Sequence, residues 1–116
     1  MKAVNHCRSS VKRFGGVEED YHRIHAWFDY SKNYFGDIRH RAFRHHTVGV
    51  QMCEDEFGLW IVNSDDHRVP VKSIAEQHIR EDLGFIPTLQ DWYEHIRPQP
   101  WMASTKKHTL KKMNLM

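Results

Sequence analysis

Residues 37–58 read DIRHRAFRHHTVGVQMCEDEFG, and the way this stretch is read decides the fold. Asp37 is a good N-cap or first-turn residue, and Gly58 stands where a helix C-terminal glycine belongs. Between them, at about 100° per residue, Ile38, Ala42, Phe43, Gly49, Val50, Cys53 and Phe57 gather on one side. The stretch therefore predicts a single long helix ending at Phe57. On that helix Arg39 and His46, seven residues apart, fall inside the apolar arc. His45 lies on its boundary, while His40, Arg41 and Arg44 point the other way, toward solvent or a partner.

Working outward, the acidic run Glu18-Glu19-Asp20 favours a helix start through the macrodipole, and Tyr21, Ile24, Phe28 and Phe35 repeat at helical spacing in a helix running to about Tyr34. Gly36 ends that helix. On the other side, LWIVN (59–63) and RVPV (68–71) flank SDDH and predict a short hairpin, with Pro70 confined to an edge. A third helix is expected over 71–83, stopped by Gly84. A fourth starts at Thr88, with Asp91 in the capping-box position and Leu89, Trp92, Tyr93 and Ile96 facing inward. Pro98 and Pro100 end it. Residues 1–16 are polar, close on Gly15-Gly16 and read as a flexible arm. Residues 103–116 form a basic tail expected to be disordered unless bound. The expectation is a mainly α fold: one globular domain over 17–102, a compact bundle of about four helices with one short β-hairpin.

The composition narrows the function classes. No apolar run approaches the roughly 18 residues that span a bilayer, and MKAVNHCRSS (1–10) has no apolar signal core, so a cytoplasmic protein with no membrane partner is expected. Cys7 and Cys53 are too few for a disulfide framework and read as reduced thiols. A net charge of +2 is too small to argue for nucleic acid by itself. The unusual number is ten histidines in 116 residues, because imidazole is both the commonest metal ligand and the side chain that titrates near neutrality.

Several of these histidines fall at or beside predicted core faces together with carboxylates. HAWFD (25–29) and HIRED (78–82) share a His-x3-Asp spacing that stacks imidazole above carboxylate on one helix face. With His46 this gives a pool of five ligands, His25, Asp29, His46, His78 and Asp82, drawn from three helices, the way helical bundles build carboxylate–histidine sites. Nitrogen and oxygen donors suit a divalent transition metal, Zn, Fe or Mn. Such an ion would support hydrolysis, with Arg39 or His45 stabilising developing negative charge. Outward His40, Arg41 and Arg44 would track the phosphates of a nucleotide, a phosphoester or a nucleic acid.

The blocks HAWFDYSK, DIRHRAFRHHTVGV, EDEFG, VPVKSIAEQHIREDLGFIPTLQDW and PQPWM, over about residues 20–102, resemble an uncharacterised family of small bacterial and phage proteins, a domain of unknown function. The resemblance implies no activity. It implies that the polar blocks recur in the family; here they fall on His25, Asp29, Asp37, Arg39, His40, Arg41, His45, His46, Gln77, His78 and Asp82. No Gly-rich phosphate loop, HExxH, CxxC pair or GxSxG is present, nor the His-Asp dipeptide of the HD phosphohydrolases. Two functions stay open: a small metal-binding protein, extending to a metal-dependent phosphoester or nucleotide hydrolase, and a non-enzymatic module binding nucleic acid, an acidic partner or a small anionic ligand. A homo-oligomer is compatible with either.

Overall fold

In the computed structural model, which describes residues 1–103, the chain runs through helices α1 (Ala3–Phe14) and α2 (Glu19–Phe28), 3-10 segments over Tyr30–Asn33 and Ile38–Phe43, and helix α3 (Thr47–Phe57). Strands β1 (Trp60–Val62) and β2 (Arg68–Pro70), helices α4 (Val71–Leu83) and α5 (Leu89–Tyr93), and a last 3-10 turn (Pro100–Met102) follow. The fold is mainly helical with one two-stranded antiparallel hairpin, in which Ile61 pairs with Val69.

Helix α4 is the hub, packing against α1, α2, α3 and both strands. Pro70 sets the extended entry, Gly84 closes the helix in the left-handed region, and Val71, Ile74, Ala75 and Ile79 are fully buried. They meet Tyr21, Ile24 and Phe28 of α2, Val50 and Cys53 of α3, and Val69 of the hairpin in one cluster. Burying a side chain such as Ile74 contributes about 1.5–3 kcal/mol. That offsets the desolvation of the polar residues sharing this interior, among them His6, His25, His40, His45, His46 and His78.

The predicted N-terminal arm is instead α1. Cys7, Val11 and Phe14 pack on the core at helical spacing, while His6 and Ser10 of the same face are fully buried. With two polar residues on its inward face and basic residues outside, the helix is low in mean hydropathy, and so the segment reads as a polar arm although its apolar positions do recur at helical spacing. Lys12 and Arg13 suit its C-terminus. Gly15 turns the chain at φ 81°, where Tyr21 Oη donates to its carbonyl at 2.7 Å. The hairpin turn locks onto this corner: Asn63 Nδ2 donates to Phe14 O, and Asp20 accepts from Val17 N and Ser64 N.

The long helix predicted over 37–57 is two pieces. Asp37 caps a 3-10 segment as expected, accepting from Arg39 N, but the chain turns sharply over residues 44–46 before α3 begins. The cause sits at Gly49. A Cβ there would lie 1.7 Å from the carbonyl oxygen of Arg44, so the turn closes only over a glycine. Thr47 N donating to Pro87 O, just before α5, and Trp92 Nε1 of α5 donating to His45 O clamp the same corner. The first predicted helix likewise ends early, at Phe28, and continues to Asn33 only as 3-10. Thr88 and Asp91 form the expected capping box, yet α5 is one short turn, and Tyr93 and Ile96 face solvent rather than the core. From residue 104 the expected basic tail lies outside the described residues.

Candidate metal centre

Splitting the long helix re-aims its histidines. His46, expected among the ligands, caps α3 instead: its Nδ1 accepts from Gly49 N at 2.9 Å and its Nε2 donates to Phe43 O at 3.1 Å, so both nitrogens are spent. His45 turns inward in its place. Its Nε2 lies 2.8 Å from Asp82 Oδ2 and 3.8 Å from Asp29 Oδ1. His78, one turn before Asp82 on α4, places Nε2 3.3 Å from the same Asp82 oxygen and 3.5 Å from Asp29 Oδ1. Asp29 reaches in from just past the end of α2. Donor atoms of Asp29, His45, His78 and Asp82 thus lie within 4.8 Å of one another, from three separate segments. Both imidazoles are wholly buried and the Asp82 side chain is 1% exposed, leaving the 11% exposed edge of Asp29 nearest to solvent.

The surrounding hydrogen bonds fix which way His78 presents its lone pair. Gln77 Nε2 donates to Glu81 Oε1 at 2.9 Å and His6 O at 3.0 Å, so its Oε1 must accept, and the Ser10 hydroxyl donates to it at 2.8 Å. Ser10 Oγ, its one proton committed, accepts from His25 Nε2 at 2.7 Å. Burial, together with neighbouring His78 and His6, pushes His25 down to about 2, so this ring is neutral and its Nδ1 is bare. That bare nitrogen lies 2.9 Å from His78 Nδ1, which must therefore carry a proton. The other His78 nitrogen, Nε2, is buried with no hydrogen-bond partner and faces two carboxylates. Two anions facing that nitrogen call for positive charge there, supplied either by a proton on Nε2 or by a metal ion in its place.

The charges follow the same geometry. Burial would raise the Asp82 carboxyl, but interactions with His45, His6 and His78 outweigh it and hold Asp82 well below the usual carboxylate range. Asp29 is lowered similarly, burial being outweighed chiefly by His78. His45 is lowered by burial despite its bond to Asp82. For His78, burial is outweighed by the two facing carboxylates and the net direction is upward. Deprotonated carboxylates around imidazole nitrogens form a donor set for a borderline divalent cation. A second trio, His6, His25 and His78, also has ring nitrogens within 4.8 Å. It is a poor ligand set: His6 stacks on His78 at 3.8 Å and 26°, and lone pairs in the planes of stacked rings do not converge.

Of the residues singled out in the sequence, Asp29, His78 and Asp82 stand in this group, and His45 joins it as a donor. His25 stands behind it as the partner that orients His78. Arg39 is remote: it is 74% exposed and paired to Asp37 at 2.8 Å. The three residues expected to face outward do the reverse, because a 3-10 segment advancing about 120° per residue carries His40 and Arg41 and a turn carries Arg44. His40 is buried, Arg41 Nη2 approaches Asp82 Oδ1 to 3.7 Å, and Arg44 is half-buried over Trp27. Sequence reasoning missed His6 and Glu81, although the i, i+4 pairing of His6 with Ser10 was there to be read. His6 bridges two carboxylates, Glu81 through Nδ1 at 2.8 Å and Asp82 through Nε2 at 3.2 Å. The amino group of Met1 also reaches Asp82 Oδ1, at 3.1 Å.

The chain belongs to the family described as Domain of unknown function (DUF6915), whose model matches residues 1–102. The match takes in α1, which the sequence resemblance had left outside. No curated protein and no solved structure matches the chain.

Proposed function

Membership of a family without an assigned activity leaves the chemistry of the buried cluster as the premise, and from it we propose that this protein binds one divalent transition metal through Asp29, His45, His78 and Asp82. The observation that carries the proposal is the buried His78 Nε2, which has no hydrogen-bond partner and faces two carboxylates while the Ser10–His25 chain commits a proton to the Nδ1 of the same ring. Two nitrogens and two oxygens suit zinc, with iron(II) and manganese(II) following in affinity. Four protein donors buried from solvent make a closed site, so the ion's first role is to tie the end of α2, the turn before α3, and α4 together.

A second reading, a metal-dependent phosphoester or nucleotide hydrolase, is favoured by Arg41. Its Nε is buried without a partner, its Nη2 stands 3.7 Å from Asp82, and its side chain is 20% exposed. It is the guanidinium that links the cluster to the surface, where an anion would arrive.

The test is metal analysis of untagged full-length protein, followed by competition against a chromophoric chelator. We expect about one equivalent of metal, retained by Asp37→Asn and lost by Asp82→Asn and His78→Ala. Less than about half an equivalent, with no binding on titration, overturns the proposal and leaves a proton on His78 as the cation of a buried ion pair. Phosphoester turnover by the loaded protein that disappears in Arg41→Gln favours the hydrolase reading; none across a nucleotide panel leaves the closed structural site.

A further inference from the structure

Away from the buried cluster, the segment from Tyr30 to Phe43 leaves an unusual amount of aromatic and aliphatic surface in water. Tyr34 is 76% exposed, Ile38 72% and Phe43 52%, with Tyr30 and Phe35 also open to solvent. Contiguous apolar surface of this kind on a small domain marks a binding face. The face is not flat. Two hollows meet at Tyr30, one of about 530 Å³ lined by Trp27, Phe57, Arg23 and Arg44, the other of about 320 Å³ lined by Tyr34, Phe43, Arg39 and His40.

Guanidinium groups are interleaved with the rings. Arg44 lies 3.9 Å from the Trp27 ring centroid, 4.8 Å from Phe43 and 5.7 Å from Tyr30, and is held there by Nη1 donating to Trp27 O at 2.6 Å. Its Nε has no partner. Arg23 stands over Phe57 at 5.4 Å and Arg39 over Phe35 at 4.6 Å. Among the described residues no carboxylate pairs with Arg23 or Arg44, and Arg39 is held by Asp37 in an exposed pair that a phosphate can displace. Glu56, at one edge of the larger hollow, is the acid that line of cations must outweigh.

Ring faces open to solvent, cations between them and two hollows in series satisfy one chemistry. Stacked bases cover apolar ring faces, and the phosphates joining them meet the guanidinium groups. A duplex keeps its bases paired and cannot place them in the hollows. We propose that this face binds single-stranded nucleic acid without strong sequence preference, successive bases stacking on Tyr34 and Phe43 in one hollow and, in the other, on Tyr30 and the Arg44 guanidinium that covers Trp27. This binding does not depend on the metal.

Fluorescence anisotropy of the full chain with labelled oligothymidylate and oligouridylate of about ten nucleotides tests it. We expect binding that weakens with salt, the logarithmic slope being about 0.7 per phosphate contacted. The double substitution Tyr34→Ala, Phe43→Ala should weaken binding at least about tenfold, as the loss of a stacked base would. Both side chains being largely in water, its metal content and thermal melt should match the parent. Arg39→Gln should make the salt slope shallower by about one contact. No binding, affinity unchanged by the double substitution, or a duplex bound as tightly overturns the proposal. So does a dimer in light scattering that Tyr34→Ala, Phe43→Ala dissociates while oligonucleotide binding is absent, since the face would then be covered by a second copy of the chain.

Discussion

At the scale of single residues, the centre depends on proton placement as much as on ligand identity. His25 would touch no metal, yet it decides which nitrogen of His78 faces Asp29 and Asp82, because its bare Nδ1 accepts the proton on His78 Nδ1. Partners behind metal-ligating histidines typically change affinity about 10–100-fold when removed. His25→Ala should therefore weaken zinc binding by that range in chelator competition. His25→Gln, placing its amide oxygen toward His78 Nδ1, should restore part of it. Zinc affinity in His25→Ala equal to that of the parent would show that the relay does not orient His78. The same logic separates His45 from its neighbour. His46 spends both nitrogens on backbone groups around the α3 cap, whereas His45 turns one nitrogen to Asp82.

At the scale of elements, the decisive feature is the corner between the 3-10 segment and α3. A continuous helix through residues 38–57 would keep the angular relation of a single α-helix between His45 and His46. The sharp turn breaks that relation, sending His45 to the cluster and leaving His46 at the cap. Gly49 allows the turn by lacking a Cβ against the Arg44 carbonyl. Gly49→Ala should cost at least about 1–3 kcal/mol, the usual range for overpacking, and more where rigid backbone is the obstacle. A urea melt checks the stability, and metal analysis checks whether His45 has left the site. A variant as stable as the parent, with its metal intact, would mean the corner relaxes freely. Elements also explain the sequence readings that held: in α4, Pro70, the buried positions 71, 74, 75 and 79 and Gly84 all agree, so its limits were legible before any coordinates. Helix α1 was not, because His6 and Ser10 occupy its inward face for a reason that lies on α4 and α2.

At the scale of the whole molecule, the buried cluster joins regions far apart in the chain: Asp29, His45, and the pair His78 and Asp82. Without an ion, two carboxylates and their imidazoles stand buried together, so under the proposed reading a bound metal should act as a folding ligand. With free zinc at about 100 times its dissociation constant, the added stability is about 2.7 kcal/mol. Chelator should lower the thermal midpoint by several degrees, and zinc should restore it. The His78→Ala variant, lacking one proposed ligand, should melt at the same temperature with and without chelator. A parent melt indifferent to chelator would argue against a metal tie.

What the sequence determined by itself was local: the hairpin, the limits of α4, the Thr88–Asp91 capping box, the glycine stops at Gly58 and Gly84, and the presence of inward His and Asp on α2 and α4. Those follow from side-chain periodicity and backbone preference within a few residues. What only the tertiary structure decided was which imidazole meets which carboxylate. That choice depends on an angle between segments, set where Gly49 lets Arg44 approach and where α5 grips the corner. It depends also on α1, whose polar inward face makes sense only against Gln77 and Glu81. Long-range partners set those orientations, and periodicity within one segment carries no record of them.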